Sequence, residues 1–182
     1  VKPIHLMTLG GNGLRAEPGL ATLEQLAVGL ARVFRTPCQV RPESIDPVFA
    51  LEPGRGQYYS TAILQRMEQA VDPDVRALGV TSYDLFVPVL TFVFGEAQLE
   101  GNCAVVSTAR LREEFYGMPP RIDLMRDRLL KEAVHELGHT FGLRHCGNWR
   151  CVMASSHAVE LLDVKGEEFC PACRREVFRL YR

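Results

Sequence analysis

The stretch HELGHTFGLRHCGNWRCVM, residues 135–153, and the CPAC at residues 170–173 together hold three of the chain's five histidines and four of its six cysteines. Side chains of these types constrain the fold more than anything else in the sequence, because their chemistry is useful only if they converge. On a helix, residues four apart face the same way, so His135 and His139 project from adjacent turns and can chelate one ion. Gly142 stands where a helix can end in a left-handed conformation open mainly to glycine, and the chain can then turn and carry His145 to the same ion. Three imidazoles leave a fourth zinc position to water, which is the arrangement of a catalytic rather than a structural site.

The helix itself supports this reading. At 100° per residue, Leu130, Val134, Leu137 and Phe141 form one apolar stripe, and both histidines fall nearly opposite it. Zinc bound there would lower the pKa of its water to about 7 and polarise a substrate carbonyl. Glu136, beside His135 but not a ligand, is placed to take a proton from that water and pass it to the leaving amine. The competing reading of Glu136 is a solvated helix acid. Met153 is core filler on residue type alone.

Cys146, Cys151, Cys170 and Cys173 form two pairs of close thiols around a loop, a pattern suited to a closed tetrahedral structural zinc. Disulfides are the alternative, disfavoured in a cytosolic setting. Cys38 and Cys103 lie in expected strands and read as ordinary buried thiols.

The rest of the composition excludes several classes of function. Lysine and arginine number 21 against 22 aspartates and glutamates, a formal charge of −1, so nothing points to a nucleic-acid backbone or an acidic membrane surface. The longest apolar run, Leu85 to Phe94, is interrupted by Pro88, is far short of a membrane span and reads as buried strand. VKPIHLMTLGGNG has no basic region, long apolar region or small-residue cleavage site, so no secretory signal is visible and the expected compartment is the cytoplasm. At 182 residues, 47% of them hydrophobic, one well-packed domain is expected.

Strand and helix signals alternate at first. PIHLMTLG reads as a strand, Pro18 to Phe34 as a helix with Leu20, Leu23, Leu26, Ala27 and Leu30 in phase, and CQVRP as a second, parallel strand. Residues 41–56, with three prolines and two glycines, read as loop, and QYYSTAILQRMEQA as helix. Two or three strands follow before Leu111, the last from Cys103 to Leu111. Pro119 and Pro120 precede a long helix, Asp123 to Phe141, and a short helix near Pro171 to Leu180 closes the chain. The glycines of GNGLRA fit a loose dinucleotide-loop pattern, but the helix starts too late and no acidic residue follows about twenty positions on, so a structural loop is the better reading.

HExxHxxGxxH, with Cys146 directly after the third histidine and Met153 eight residues further, resembles the zinc motif of the metzincins and specifically of the archaemetzincin family. The matching residues are His135, Glu136, His139, Gly142, His145, Cys146, Cys151, Met153, Cys170 and Cys173. DLFVPVLTFVFGEA and AVVSTARL also look like that family. The resemblance implies a metzincin-like α/β (α+β) fold, with a twisted mixed sheet and helices in an upper lobe (about 1–142). A small irregular zinc-stapled lower lobe (about 143–182) would follow, with the active-site cleft between. It also implies a turn containing Met153 beneath the metal, a catalytic and a structural zinc, and hydrolysis of peptide bonds in an extended peptide or protein substrate. No tyrosine lies just beyond Met153, so oxyanion stabilisation is expected to fall mainly to zinc. An edge strand of the upper sheet would pair with substrate main chain, and Cys103 to Leu111 is the strand expected in that place. The rival readings are a zinc-stabilised binding module without turnover and a zinc amidohydrolase acting on another amide. Retention of Glu136 with all three histidines favours the peptidase.

Overall fold

The computed structural model describes residues 2–10 and 18–179. β1 (Ile4–Leu9) leads through α1 (Leu20–Phe34) to β2 (Cys38–Ile45), which lies parallel to β1. α1 buries Leu23, Leu26, Ala27 and Leu30, the face its periodicity predicts, although Leu20 is exposed. The GNGLRA segment lies outside the described residues.

β2 continues to Ile45, so the proline-rich stretch expected to be loop is strand in its first part. Pro42 is tolerated because β2 is an edge strand and its register with β1 shifts at that point. A 3-10 turn at Pro47–Ala50 and β3 (Leu51–Glu52) follow, and β3 pairs antiparallel with β4 (Gln57–Tyr59). α2 (Ser60–Ala70) therefore starts at Ser60 rather than Gln57.

The second half supplies β5 (Arg76–Thr81), β6 (Leu85–Phe86), β7 (Gly95–Ala97), β8 (Cys103–Ser107), α3 (Ile122–Thr140), α4 (Val159–Val164) and α5 (Pro171–Arg179). The run Leu85 to Phe94 is not one buried strand. Pairing in β6 ends at Phe86, the chain turns with Leu90 N–H donating to the Val87 carbonyl at 3.0 Å, and Val89 is 89% exposed. Pro88 lacks the N–H a continuing ladder would need. β8 likewise stops at Ser107, and Ala109–Leu111 forms a 3-10 turn. α4 had no sequence signal.

The main sheet has the order β2-β1-β5-β8-β7, with only β7 antiparallel to its neighbour, and β3-β4-β6 form a small second sheet. Alternation along the central strands divides the core. Ile4, Leu6, Leu78, Val80, Ala104 and Val106 pack toward α1 and α3, whereas Met7, Leu9, Ala77, Cys103 and Val105 pack toward α2. Cys151, Val152, Met153, Leu162, Phe169 and Val177 belong to the α1–α3 core, so the chain beyond Gly142 wraps under α3. Phe34 joins the two parts, stacking on Phe141 at 5.2 Å and meeting Phe169 edge-on at 5.5 Å. No helix of the described residues is long and apolar enough to cross a membrane.

Candidate metal centres

α3 follows the Pro119-Pro120 break and is buried on nearly every side over its last two turns, from Ala133 to Gly138. Val134 and Leu137 lie in the core as the apolar stripe predicts, while Leu130 is only partly buried. The opposite face is covered as well, because residues after Gly142 fold back across it. His135 is therefore 4% exposed and Glu136 5%, while His139 is half-buried and His145 exposed.

The helix ends as Gly142 predicts. Gly142 has φ +85°, its N–H donates to the His139 carbonyl at 2.9 Å, and the Leu143 N–H donates to the Gly138 carbonyl at 3.1 Å. These are the two bonds of a Schellman cap. The turn delivers His145 to the other imidazoles, with one ligand nitrogen of each histidine within 4.8 Å of the others.

His135 Nε2 and His139 Nε2 are 3.1 Å apart. Nitrogens on a tetrahedral zinc stand about 3.3 Å apart, given Zn–N bonds of about 2.0–2.1 Å. Each Nδ1 faces a backbone carbonyl, Val152 at 2.9 Å for His135 and Leu143 at 2.7 Å for His139. Donation from Nδ1 leaves Nε2 as the free lone pair, turned toward the point where the imidazoles meet. Burial is the main cause holding both imidazoles below the ordinary histidine pKa, with His135 lowered to about 3. Neutral imidazole is the ligand form. An N3 donor set of this geometry, with one side open, fits zinc.

Met153 is fully buried, and its sulfur lies against Gly138, between the two helical histidines: a Cβ on Gly138 would fall 2.5 Å from Met153 Sδ. The sequence singled out the methionine but not the glycine that makes room for it.

Cys146, Cys151, Cys170 and Cys173 also converge, with their sulfurs within 4.8 Å of one another. The Cys146–Cys170 separation is 3.9 Å, nearly twice a disulfide bond and close to the roughly 3.8 Å edge of a zinc–thiolate tetrahedron. The Asn148 N–H donates to Cys146 Sγ at 3.4 Å and the Cys170 N–H to Cys151 Sγ at 3.3 Å. The Cys173 backbone N–H leads the interactions that lower the Cys170 pKa to about 7, whereas burial raises those of Cys151 and Cys173. This set too fits zinc. Cys38 and Cys103 stand apart from it, Cys103 buried and Cys38 half-buried.

Glu136 lies behind the histidines, where burial and then the neighbouring Glu132 push its carboxyl well above the usual carboxylate range. Lys165, 3% exposed, supplies an opposing positive charge. Sequence reading missed Glu132 and Lys165. Glu132 could have been noticed as a second acid one turn before Glu136, whereas nothing local marks Lys165.

The strand expected to form the open edge, Cys103 to Leu111, is internal: β8 is paired on both sides, and the edge is β7. The Ser107 N–H donates to the Phe94 carbonyl and the Gln98 N–H to the Cys103 carbonyl. Antiparallel alternation then turns the N–H and C=O groups of Gly95 and Ala97 outward. Gly95 also lies on Glu136, since a Cβ there would fall 2.6 Å from Glu136 Cγ.

A mixed sheet whose antiparallel edge strand overlies a histidine-bearing helix, closed below by a turn with a buried methionine, is the architecture of a metzincin-type zinc metallopeptidase. The sequence pattern of peptidase family M54 matches residues 48–179, and the chain belongs to that family, the archaemetzincins. The archaemetzincin of Methanocaldococcus jannaschii is 44% identical over 140 residues, covering 77% of this chain and 76% of that one. Among solved structures, a zinc-dependent peptidase from Methanocorpusculum labreanum superposes with a TM-score of 0.86 at 29% identity, over 96% of this chain and 99% of that one. Archaemetzincin from Archaeoglobus fulgidus, solved in complex with malonate, gives 0.79 at 36% identity over 96% and 99% of the two chains.

Proposed function

We propose that this zinc metallopeptidase hydrolyses peptide bonds of extended substrates in a single catalytic domain whose lobes meet near residue 142. His135, His139 and His145 hold a catalytic zinc, and Cys146, Cys151, Cys170 and Cys173 a structural one. Bound zinc supplies an acidified water and a polarised carbonyl. Glu136 is the residue that would accept a proton from the attacking water and return it to the leaving amine, and its burial would keep bulk water from competing for that proton. The outward N–H and C=O groups of Gly95 and Ala97 pair with substrate main chain, which selects peptide shape more than sequence.

The observation that carries this reading is the packing of Gly95 on Glu136, because it sets a free strand edge directly beside the proposed base. The test is digestion of a degenerate peptide mixture by the zinc-loaded protein and by Glu136→Ala, read by mass spectrometry. Cuts that vanish in the variant are expected, and their positions distinguish internal cleavage from stepwise trimming of an N-terminus. Equal cutting by both proteins would remove Glu136 from the mechanism. No cutting by either, with zinc confirmed on the histidines, would favour a peptide-holding module.

A further inference from the structure

β7 carries the edge that substrate is to meet, yet little on that face of the strand can hold it in place. Gly95 has no side chain and Ala97 only a methyl group, both turned toward α3 by strand alternation. Glu96 stands between them and turns to the other face. Its carboxyl accepts from Thr61 Oγ1, at 2.8 Å through Oε1 and 3.0 Å through Oε2, and from Ser60 Oγ at 2.5 Å. The buried Ser60 hydroxyl also stands 3.1 Å from the Phe86 carbonyl, but it has one proton to give and the nearer acceptor takes it.

Ser60 and Thr61 open α2, whose N-cap residue Tyr59 makes no side-chain bond and whose first turn holds no acid. A carboxyl group is favourable at such a helix end, so capping is one reason for it. Capping is ordinarily met by the residue next to the helix, however, and a serine, threonine, aspartate or asparagine at position 59 would serve. Here the carboxyl comes from a strand 36 residues beyond Ser60, and the link ties two elements together. α2 is firmly seated, with Ile63, Leu64 and Met67 buried in the core under the sheet. β7 is three residues long and bonded to β8 along one side only. The Glu96 main chain pairs with Val105, so this one residue is held by backbone from β8 and by side chain from α2.

We propose that Glu96 is a positioning residue for substrate: by fastening β7 to the first turn of α2, it holds the outward N–H and C=O groups of Gly95 and Ala97 ready to pair with an extended peptide. The proposal rests on the reading of β7 as the substrate-pairing edge. An edge already ordered imposes no ordering cost on the incoming peptide, whereas a loosened one must be ordered on binding and gives up affinity. A ligand that touches only the metal is indifferent to the edge. Glu96 therefore acts on peptide binding and not on zinc.

The test uses the zinc-loaded full chain and two probes read by calorimetry. Acetohydroxamate chelates the metal alone, and a tripeptide hydroxamate adds a main chain that can pair with β7. Glu96→Ala is expected to weaken the tripeptide probe about tenfold and to leave acetohydroxamate binding and zinc content within about twofold of the parent. On a peptide that the parent cuts, the same variant is expected to raise KM about tenfold with kcat within about twofold. Glu96→Gln, whose amide oxygen still accepts from either hydroxyl, is expected to recover most of the loss. Thr61→Val loosens the link while the carboxyl and β7 stay as they are. It is expected to weaken the tripeptide probe about threefold, and it carries the test should Glu96→Ala fold poorly.

The edge itself is checked with the tripeptide hydroxamate N-methylated at one amide at a time. Methylation of a pairing amide is expected to weaken binding to the parent about fivefold and to Glu96→Ala less than about twofold, the non-additivity of two changes to one contact. Equal weakening of both unmethylated probes by Glu96→Ala would overturn the positioning role. So would tripeptide binding that stays at the parent's level in both Glu96→Ala and Thr61→Val. If no methylated probe binds the parent more weakly, it is the reading of β7 that fails, and the proposal falls with it.

Discussion

Gly95 has no side chain, and Glu136 occupies the space one would fill. A methyl group at Gly95 would meet Glu136 Cγ at 2.6 Å and the Val105 carbonyl oxygen at 2.7 Å, and the second of these is backbone of the neighbouring strand. Gly95→Ala is therefore expected to destabilise the protein by about 1–3 kcal/mol and to depress turnover more than tenfold while zinc content stays unchanged. Denaturant unfolding, metal analysis and peptide cleavage on one sample check all three. Gly142→Ala meets a different obstacle, since φ +85° is strained for any residue with a Cβ. It is expected to cost about 1–2 kcal/mol and to weaken zinc binding at the histidines before it affects the cysteine site, as competitive chelator titration would reveal. The ligand residues could be read from sequence because chelation imposes spacing: four along a helix, then a turn that favours glycine. Gly95, Gly138, Glu132 and Lys165 matter through what they touch in the folded chain, and no local pattern records those contacts.

Among the elements, α1 and α3 were legible from their apolar periodicity, and β1, β5 and β8 from runs of branched and aliphatic residues. β3, β4 and β6 were not, because two- and three-residue strands carry no pattern, and proline in β2 looked like loop until its edge position explained it. The free edge was placed on the wrong strand for a related reason: apolar content marks Cys103 to Ser107 as buried strand, while Gly95–Ala97 is too short to stand out. α4 buries Val159 and Leu162 in the core and is also tied to α3 through charge. Arg128, 3% exposed, bonds Asp163 through two nitrogens and Glu113 through a third at 2.7 Å. Removing one member of a buried charge network leaves the others unpaired, which costs about 3–5 kcal/mol. Arg128→Ala is expected near the lower end, since both acids keep some contact with water. Arg128→Lys should recover little of that, because a single ammonium cannot span two carboxylates as a planar guanidinium does. Urea unfolding of the two variants decides it.

For the whole molecule, the cysteine cluster and the histidine cluster share one core, and the proposed function gives them separate duties. A closed thiolate site contributes its binding energy directly to folding, whereas an open three-histidine site contributes less to stability and more to reaction. When metal-stripped protein is titrated with zinc, the first equivalent is accordingly expected to restore most of the melting temperature and the second to restore turnover. Cys170→Ser should lower the melting temperature while one zinc remains on the histidines. Recovery of stability and turnover on the same equivalent would refute this division.

The carbonyl that orients His135 belongs to Val152, and the one that orients His139 belongs to Leu143. Both lie beyond the helix that carries the histidines, so α3 alone leaves each ring free to choose either nitrogen. During synthesis, a chain whose helix has emerged but whose next dozen residues are still within the ribosome has two of the three histidines, without their alignment and without His145. The timing of competence is thereby written into the order of the polypeptide: the centre can assemble only after the segment that closes beneath it has been made.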